Sequence, residues 1–191
     1  MSALESRARP LLRDLFENKT SVIDYSASDR FIIARWATKT ALTLNLGSNF
    51  HKNIPDAHYH FLFDDYSDLP SRTVVFAQNH NFTQDFYWLQ GALWHVDDPY
   101  AESIEQSEID FLRDNSFKIA FQLRGLLLLI AFNPIETFLF TMCRGIHVPL
   151  WPKRCPVGYY DQDDFPWNDS IEAISAFHAG VGLVRSQAGA K

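Results

Sequence analysis

Four groups of residues have types and spacings that bear on chemistry. The densest is His58-Tyr59-His60 with Asp64 and Asp65 close behind. Imidazole beside carboxylate is the donor set that activates a metal-bound water near a phosphate, so His58, His60, Asp64 and Asp65 define a substitute-ligand site for a metal-dependent nuclease. Histidines two apart share a face on a strand and diverge on a helix, and Pro55 marks the start of a short aromatic helix here. On such a helix a half-buried histidine of purely structural role is the commoner outcome. A second set, Cys143, His147 and Cys155, offers zinc donors at a generic spacing without a Cys-x-x-Cys pair. Asp161, Asp163 and Asp164 with Trp167 lie in an acidic stretch that suits either a hard cation or a solvated loop ahead of a helix N-terminus. Arg35 and Lys39 stand one helical turn apart, placed to clasp a phosphate or to pair with Glu5. A nucleophile elbow, a phosphate loop, a dinucleotide fingerprint and a His-Glu-x-x-His helix are all missing from the sequence, so it assigns no catalytic residue, cofactor or metal. The binding residues it offers are Arg35, Lys39, Asp161, Asp163, Asp164 and Trp167.

The elements that must position these groups change period along the chain. Ser2 and Glu5 have capping-box spacing and open a helix with an apolar stripe of Leu4, Ala8, Leu11, Leu12, Leu15 and Phe16. Pro10 removes an interior hydrogen bond, which predicts a kink or a restart near residue 9. Ser26 and Asp29 open a second helix that ends at Gly47, with Ile33, Trp36, Ala37, Thr40, Ala41 and Leu44 as its buried face and Trp36 set against Leu11, Leu12 and Leu15. Strands are predicted at 73–78, 117–123 and 126–132, and 85–96 reads as a strand or hairpin weakened by Gly91. The alternation in 117–123 gives it one buried face, Arg124-Gly125 a turn, and the unbroken apolar run at 126–132 a central strand. The segment 97–108 reads as an acidic surface loop or short solvated helix. Leu150-Trp151-Pro152 reads as extended, with Trp151 plugging the core. Asp169 and Glu172 open a last helix ended by Gly180. Helices first and strands later give an α+β class: an N-terminal helical pair on an antiparallel sheet, with a C-terminal helix. One domain over 1–184 with a frayed tail at 185–191 follows.

The chain has 191 residues, 47% of them hydrophobic and 15% aromatic, which is enough apolar material for one sizeable core. Its formal charge of -6 opposes non-specific binding to nucleic acid and matches a protein or nucleoprotein complex with a basic surface. Two cysteines twelve positions apart suit a reducing compartment, and no apolar run is long enough to span a bilayer, so a cytoplasmic location is expected.

Two stretches carry a resemblance. Leu4, Glu5, Pro10, Leu11 and Leu12, followed by Ala34, Arg35, Trp36, Lys39, Thr40 and Ala41, resemble the region after the Cys-rich zinc segment in HNH-endonuclease-like proteins of bacteria and phages. In those proteins a Cys-x-x-Cys-Asn-x-Gly-Trp-Met element leads into Leu-Glu and Pro-Leu-Leu, then an Ala-Arg-Trp-x-x-Lys-Thr-Ala helix. The resemblance spans roughly the first fifty residues, and the zinc and nuclease module is not in this sequence, so no catalytic residue carries over. It implies an accessory domain acting as a non-catalytic binding or regulatory protein, of phage or mobile-element origin, that inhibits a nucleic-acid-targeting complex. A metal-dependent nuclease and a truncated remnant with no independent role are the other two readings.

Overall fold

A computed structural model describes residues 2–17, 19–48, 53–61, 68–80, 86–91, 93, 104–152, 157–160 and 170–185. Helix α1 (Ala3–Phe16) begins at the expected capping box: Glu5 N–H donates to Ser2 Oγ at 3.3 Å, and Ser2 N–H donates to the Glu5 carboxylate at 2.9 Å. The helix runs unbroken through Pro10, so it does not restart near residue 9. Pro10 and Ser6 are both exposed, and water can reach the carbonyl that Pro10 leaves without a donor. Helix α2 (Ala27–Gly47) is capped by the Ser26 hydroxyl on Asp29 N–H. Helix α3 (Asp56–His60) follows Pro55, and a fourth helix, α4 (Gln106–Asn115), overlaps the end of the segment expected to be loop or solvated helix; residues 97–103 lie outside the described residues.

Five strands build the main sheet: β1 (Thr73–Asn79), β2 (Phe86–Gly91), β3 (Phe117–Leu123), β4 (Leu126–Phe132) and β6 (Val148–Trp151). They pair antiparallel in the order β2-β3-β4-β1-β6. All 7 residues of β4 are buried. Each large apolar side chain gains roughly 1.5–3 kcal/mol by burial against a backbone ordering cost of about 1–2 kcal/mol per residue, which places this segment at the centre. Arg124 turns β3 into β4 at φ 48, a left-handed conformation uncommon for a residue with a side chain. A second sheet, not foreseen from the sequence, sets β5 (Phe138–Cys143) between β7 (Val157–Tyr160) and β8 (Gly182–Arg185). Helix α5 (Ser170–Ala179) leads into β8, which reaches Arg185, the first residue of the expected tail. The class is α+β, as the order of patterns predicts, and no helix among the described residues is long and apolar enough to cross a membrane.

The main sheet lies between two apolar layers. Val75, Ala77, Ile119, Phe121, Leu128 and Ile130 face α1 and α2, while Val74, Phe76, Ala120, Leu127, Leu129 and Ala131 face α5 and the small sheet. Strand β3 is therefore buried on both faces, which corrects the one-faced reading: Lys118 and Gln122, placed in solvent by the alternation, are 5% and 0% exposed. Helix α2 also turns differently from expectation. Ile33, Ala34, Ala37, Thr38, Ala41, Leu42 and Asn45 are buried, and Trp36 is half-buried, edge-on to Phe121 at 6.2 Å. Small residues at 34, 37 and 41 let α2 approach the sheet closely, which leaves the large indole at the side of the contact. Trp151 is likewise half-buried and tilted against Phe31 at 4.7 Å, rather than plugging the interior.

Candidate functional site

The residues that carry the resemblance meet where α1 packs on α2. Lys39 Nζ lies 3.1 Å from Glu5 Oε1 and donates weakly to Ser2 Oγ at 3.5 Å. The Ser2 N–H and then the lysine hold the Glu5 carboxyl below its usual pKa. Arg35 lies half-buried with its guanidinium carbon 5.8 Å from the Phe61 ring centre. Lys39 thus pairs with Glu5, and Arg35 and Lys39 do not form a shared phosphate clasp.

Beside that contact opens a cleft of about 500 Å³ lined by Glu5, Arg9, Leu12, Arg13, Phe16, Glu17, Trp36 and Arg124. Three elements supply it. On α1, Arg9 and Arg13 stand one turn apart on the outer side, while Leu12 and Phe16 point toward the floor. Helix α2 adds the half-buried Trp36, and the β3–β4 turn contributes Arg124. The carboxylates here already have cationic partners: Glu5 has Lys39, and Glu17 forms an ion pair with Lys19. Arg13 makes a loose contact of 3.6 Å with Asp14, both exposed. The side chains of Arg9 and Arg124 form no hydrogen bond or ion pair among the described residues. The result is an apolar aromatic floor with an excess of guanidinium at its rim, on a chain whose net charge is -6. Guanidinium suits this role because its planar fork meets a carboxylate or phosphate with two parallel hydrogen bonds.

The histidine groups do other work. His58 is 6% exposed, edge-on to Phe117 and Phe132 at 5.6 and 4.1 Å, with no hydrogen bond from either ring nitrogen; burial lowers its pKa to about 4. His60 is exposed, so the two diverge as a helix requires. Asp64, Asp65, Asp161, Asp163, Asp164, Trp167 and Cys155 lie outside the described residues, and no group of three potential metal donors occurs among the described ones. Cys143 and His147 do meet, on the far face of the sheet. His147 Nδ1 accepts from Cys143 N–H at 3.2 Å and its Nε2–H donates to the Phe177 carbonyl at 2.8 Å, a tautomer assigned from those partners. With both nitrogens engaged and the ring stacked on Phe177 at 4.5 Å, His147 fixes α5 against β5 and has no nitrogen left for a metal or for the buried thiol.

Arg9, Arg13, Phe16 and Arg124 are the site residues that the sequence did not single out. The i, i+4 pair Arg9 and Arg13 was visible as spacing, but the third arginine joins them only through the β3–β4 hairpin, and no local pattern encodes that meeting. No family model matches the chain, and no curated protein or solved structure is detectably similar to it.

Proposed function

We propose that this chain is a non-catalytic binding protein that holds its partner in the cleft between α1, α2 and the β3–β4 turn. One observation carries the reading: Arg9 and Arg124, without ion-pair partners, line the same cleft as Phe16 and Trp36 while the neighbouring carboxylates are neutralised by lysines. The sign of the partner follows from this local charge: three arginines line the cleft and its two carboxylates are paired with lysines, so the partner's contact region is anionic rather than the basic surface that net charge alone suggests. The resemblance of 4–12 and 34–41 supports the wider proposal, an accessory domain of HNH-nuclease type serving a phage or mobile element as an inhibitor of a nucleic-acid-targeting complex. The nuclease alternative is less well supported, because His58 is enclosed by rings while His60 is exposed.

The test is a nuclear magnetic resonance titration with a panel of anions: a dicarboxylate, inorganic phosphate, an acidic peptide and a short oligothymidylate. At least one should shift the amides of Arg9, Arg13, Trp36 and Arg124, and Arg124→Glu should abolish the shifts. A panel that leaves all four unmoved refutes the proposal.

A further inference from the structure

The cleft's makeup also narrows what it binds, given the reading above that it is the binding site. We infer that its ligand is a short peptide segment of a partner protein in which one bulky apolar side chain is flanked by aspartate or glutamate. Three features lead there. First, the floor is Leu12, Phe16 and Trp36, a surface that gains from burying an aliphatic or aromatic side chain, and a cleft of about 500 Å³ admits a side chain with its flanking backbone. Second, the three arginines come from two separate elements: Arg9 and Arg13 are separated by a turn of α1 and Arg124 comes from the β3–β4 turn, so the cleft offers guanidinium to more than one carboxylate of a bound segment. Third, a chain of net charge -6 repels a polyanion at long range far more than it repels a segment with two or three carboxylates, so the local arginines outweigh the global charge only for the smaller anion. The positive φ of Arg124 adds to the case. A glycine would occupy that turn without strain, whereas arginine holds a guanidinium at the rim there.

Fluorescence polarisation on the full chain tests this. The probes are a labelled peptide with a central leucine flanked by glutamates, the same peptide with lysine for glutamate, the same peptide with serine for leucine, and a labelled oligothymidylate. The acidic leucine peptide should bind, and Arg9→Glu and Arg124→Glu should each weaken it about tenfold or more while leaving the melting temperature unchanged. The lysine version should not bind, and the serine version should bind several-fold more weakly. Equal binding by both charge-reversal variants, or by the serine peptide, overturns the inference. So does binding of oligothymidylate without the peptide, an outcome that leaves the cleft as an anion site and rejects only the ligand class. If no probe binds and the titration above also leaves the cleft unmoved, both readings fall.

Discussion

The two faces of the main sheet are held by different kinds of contact. On the α1–α2 side, β1, β3 and β4 present Val75, Ile119, Phe121, Leu128 and Ile130 to a helix of 21 residues, and a neutral polar network lies toward the β2 edge. There Asn45 donates to Gln90 at 2.8 Å, Tyr59 donates to Asn45, Gln90 donates to Asn53 at 3.4 Å, and Asn53 donates to the Ser116 carbonyl at 2.6 Å. On the α5 side the helix has only 10 residues, and ionisable groups bind the backbone of the helix and of the turn that follows it: His147 donates to Phe177 O at 2.8 Å and Lys118 to Val181 O at 2.7 Å. A long helix gains enough from apolar area to find its place without directional bonds. A short one has less area, and its register here is set by donors aimed at particular carbonyls. The first face can therefore spare Trp36 and Phe16 for a cleft.

The largest effect should come from the apolar face. Phe121 is fully buried and packs edge-on against Trp36, so Phe121→Ala should cost about 3–5 kcal/mol, read by denaturant unfolding. Trp36→Ala should cost less, because part of the indole stays exposed at the mouth of the cleft. Equal losses would place Trp36 in the core after all and erase the cleft floor.

The second expected effect separates the faces through their histidines. His147→Leu strands the Cys143 N–H and the Phe177 carbonyl and should cost about 2–3 kcal/mol, whereas His58→Leu removes two unpartnered buried nitrogens and should be neutral or stabilising. Acid should show the same division. Burial lowers His58, His147 and His178 to about 4, below the ordinary 6.5, so the unfolded chain binds more protons between those values. Stability is then full above pH 6.5 and is lost as pH falls toward 4. His58→Leu should flatten part of that slope. Lys118, lowered by burial to about 8 from 10.5, adds the same sign at higher pH, with stability rising between 8 and 10.5. A melting temperature flat from pH 7 to 4 would contradict the neutral buried histidines.

A pair of glycines gives a smaller contrast. A Cβ on Gly180 would lie 2.8 Å from His147 Cε1 and 3.0 Å from Cys143 Sγ, so Gly180→Ala should cost about 1–3 kcal/mol by pushing α5 off its donors. Gly47 has open space around it, and Gly47→Ala should stabilise α2 by up to about 1 kcal/mol.

Much of this architecture is readable in the chain, and the gaps have a common cause. Ser2 and Glu5, Ser26, the strands at 117–123 and 126–132 and the central place of β4 follow from local signals, because caps and apolar runs act within a few residues. Trp36, Lys118 and Gln122 were misplaced because their surroundings depend on what the rest of the chain lays over them. Alternation in β3 marks Lys118 as solvent-facing, yet the segment from α5 into β8, far along the sequence, covers it, and Val181 just past α5 supplies the carbonyl that makes its burial tolerable. The candidate site shares this difficulty. The sequence offers Glu5 as one possible partner of Arg35 and Lys39, but the arginines of the rim come from α1 and from a hairpin turn, and only the packing of α2 on the sheet brings them together.

The smallest effect tests whether the latch between α1 and α2 sets the cleft's shape or only closes its end. The Glu5–Lys39 pair spans 3.1 Å with 40% and 29% of the side chains exposed, so solvent screens it, and Lys39→Met should cost only about 0.2–1 kcal/mol. Methionine keeps the aliphatic stem packed on α1 and removes the charge alone. Its consequence for the cleft is electrostatic: Glu5 loses its cationic partner, keeps its Ser2 backbone bond, and places an uncompensated carboxylate beside Arg9. Binding of the acidic leucine peptide should therefore weaken by more than the stability loss accounts for, and added salt should shrink that excess. If affinity falls only in step with stability, or is unchanged, Lys39 merely ties two helices together and the rim arginines act without it.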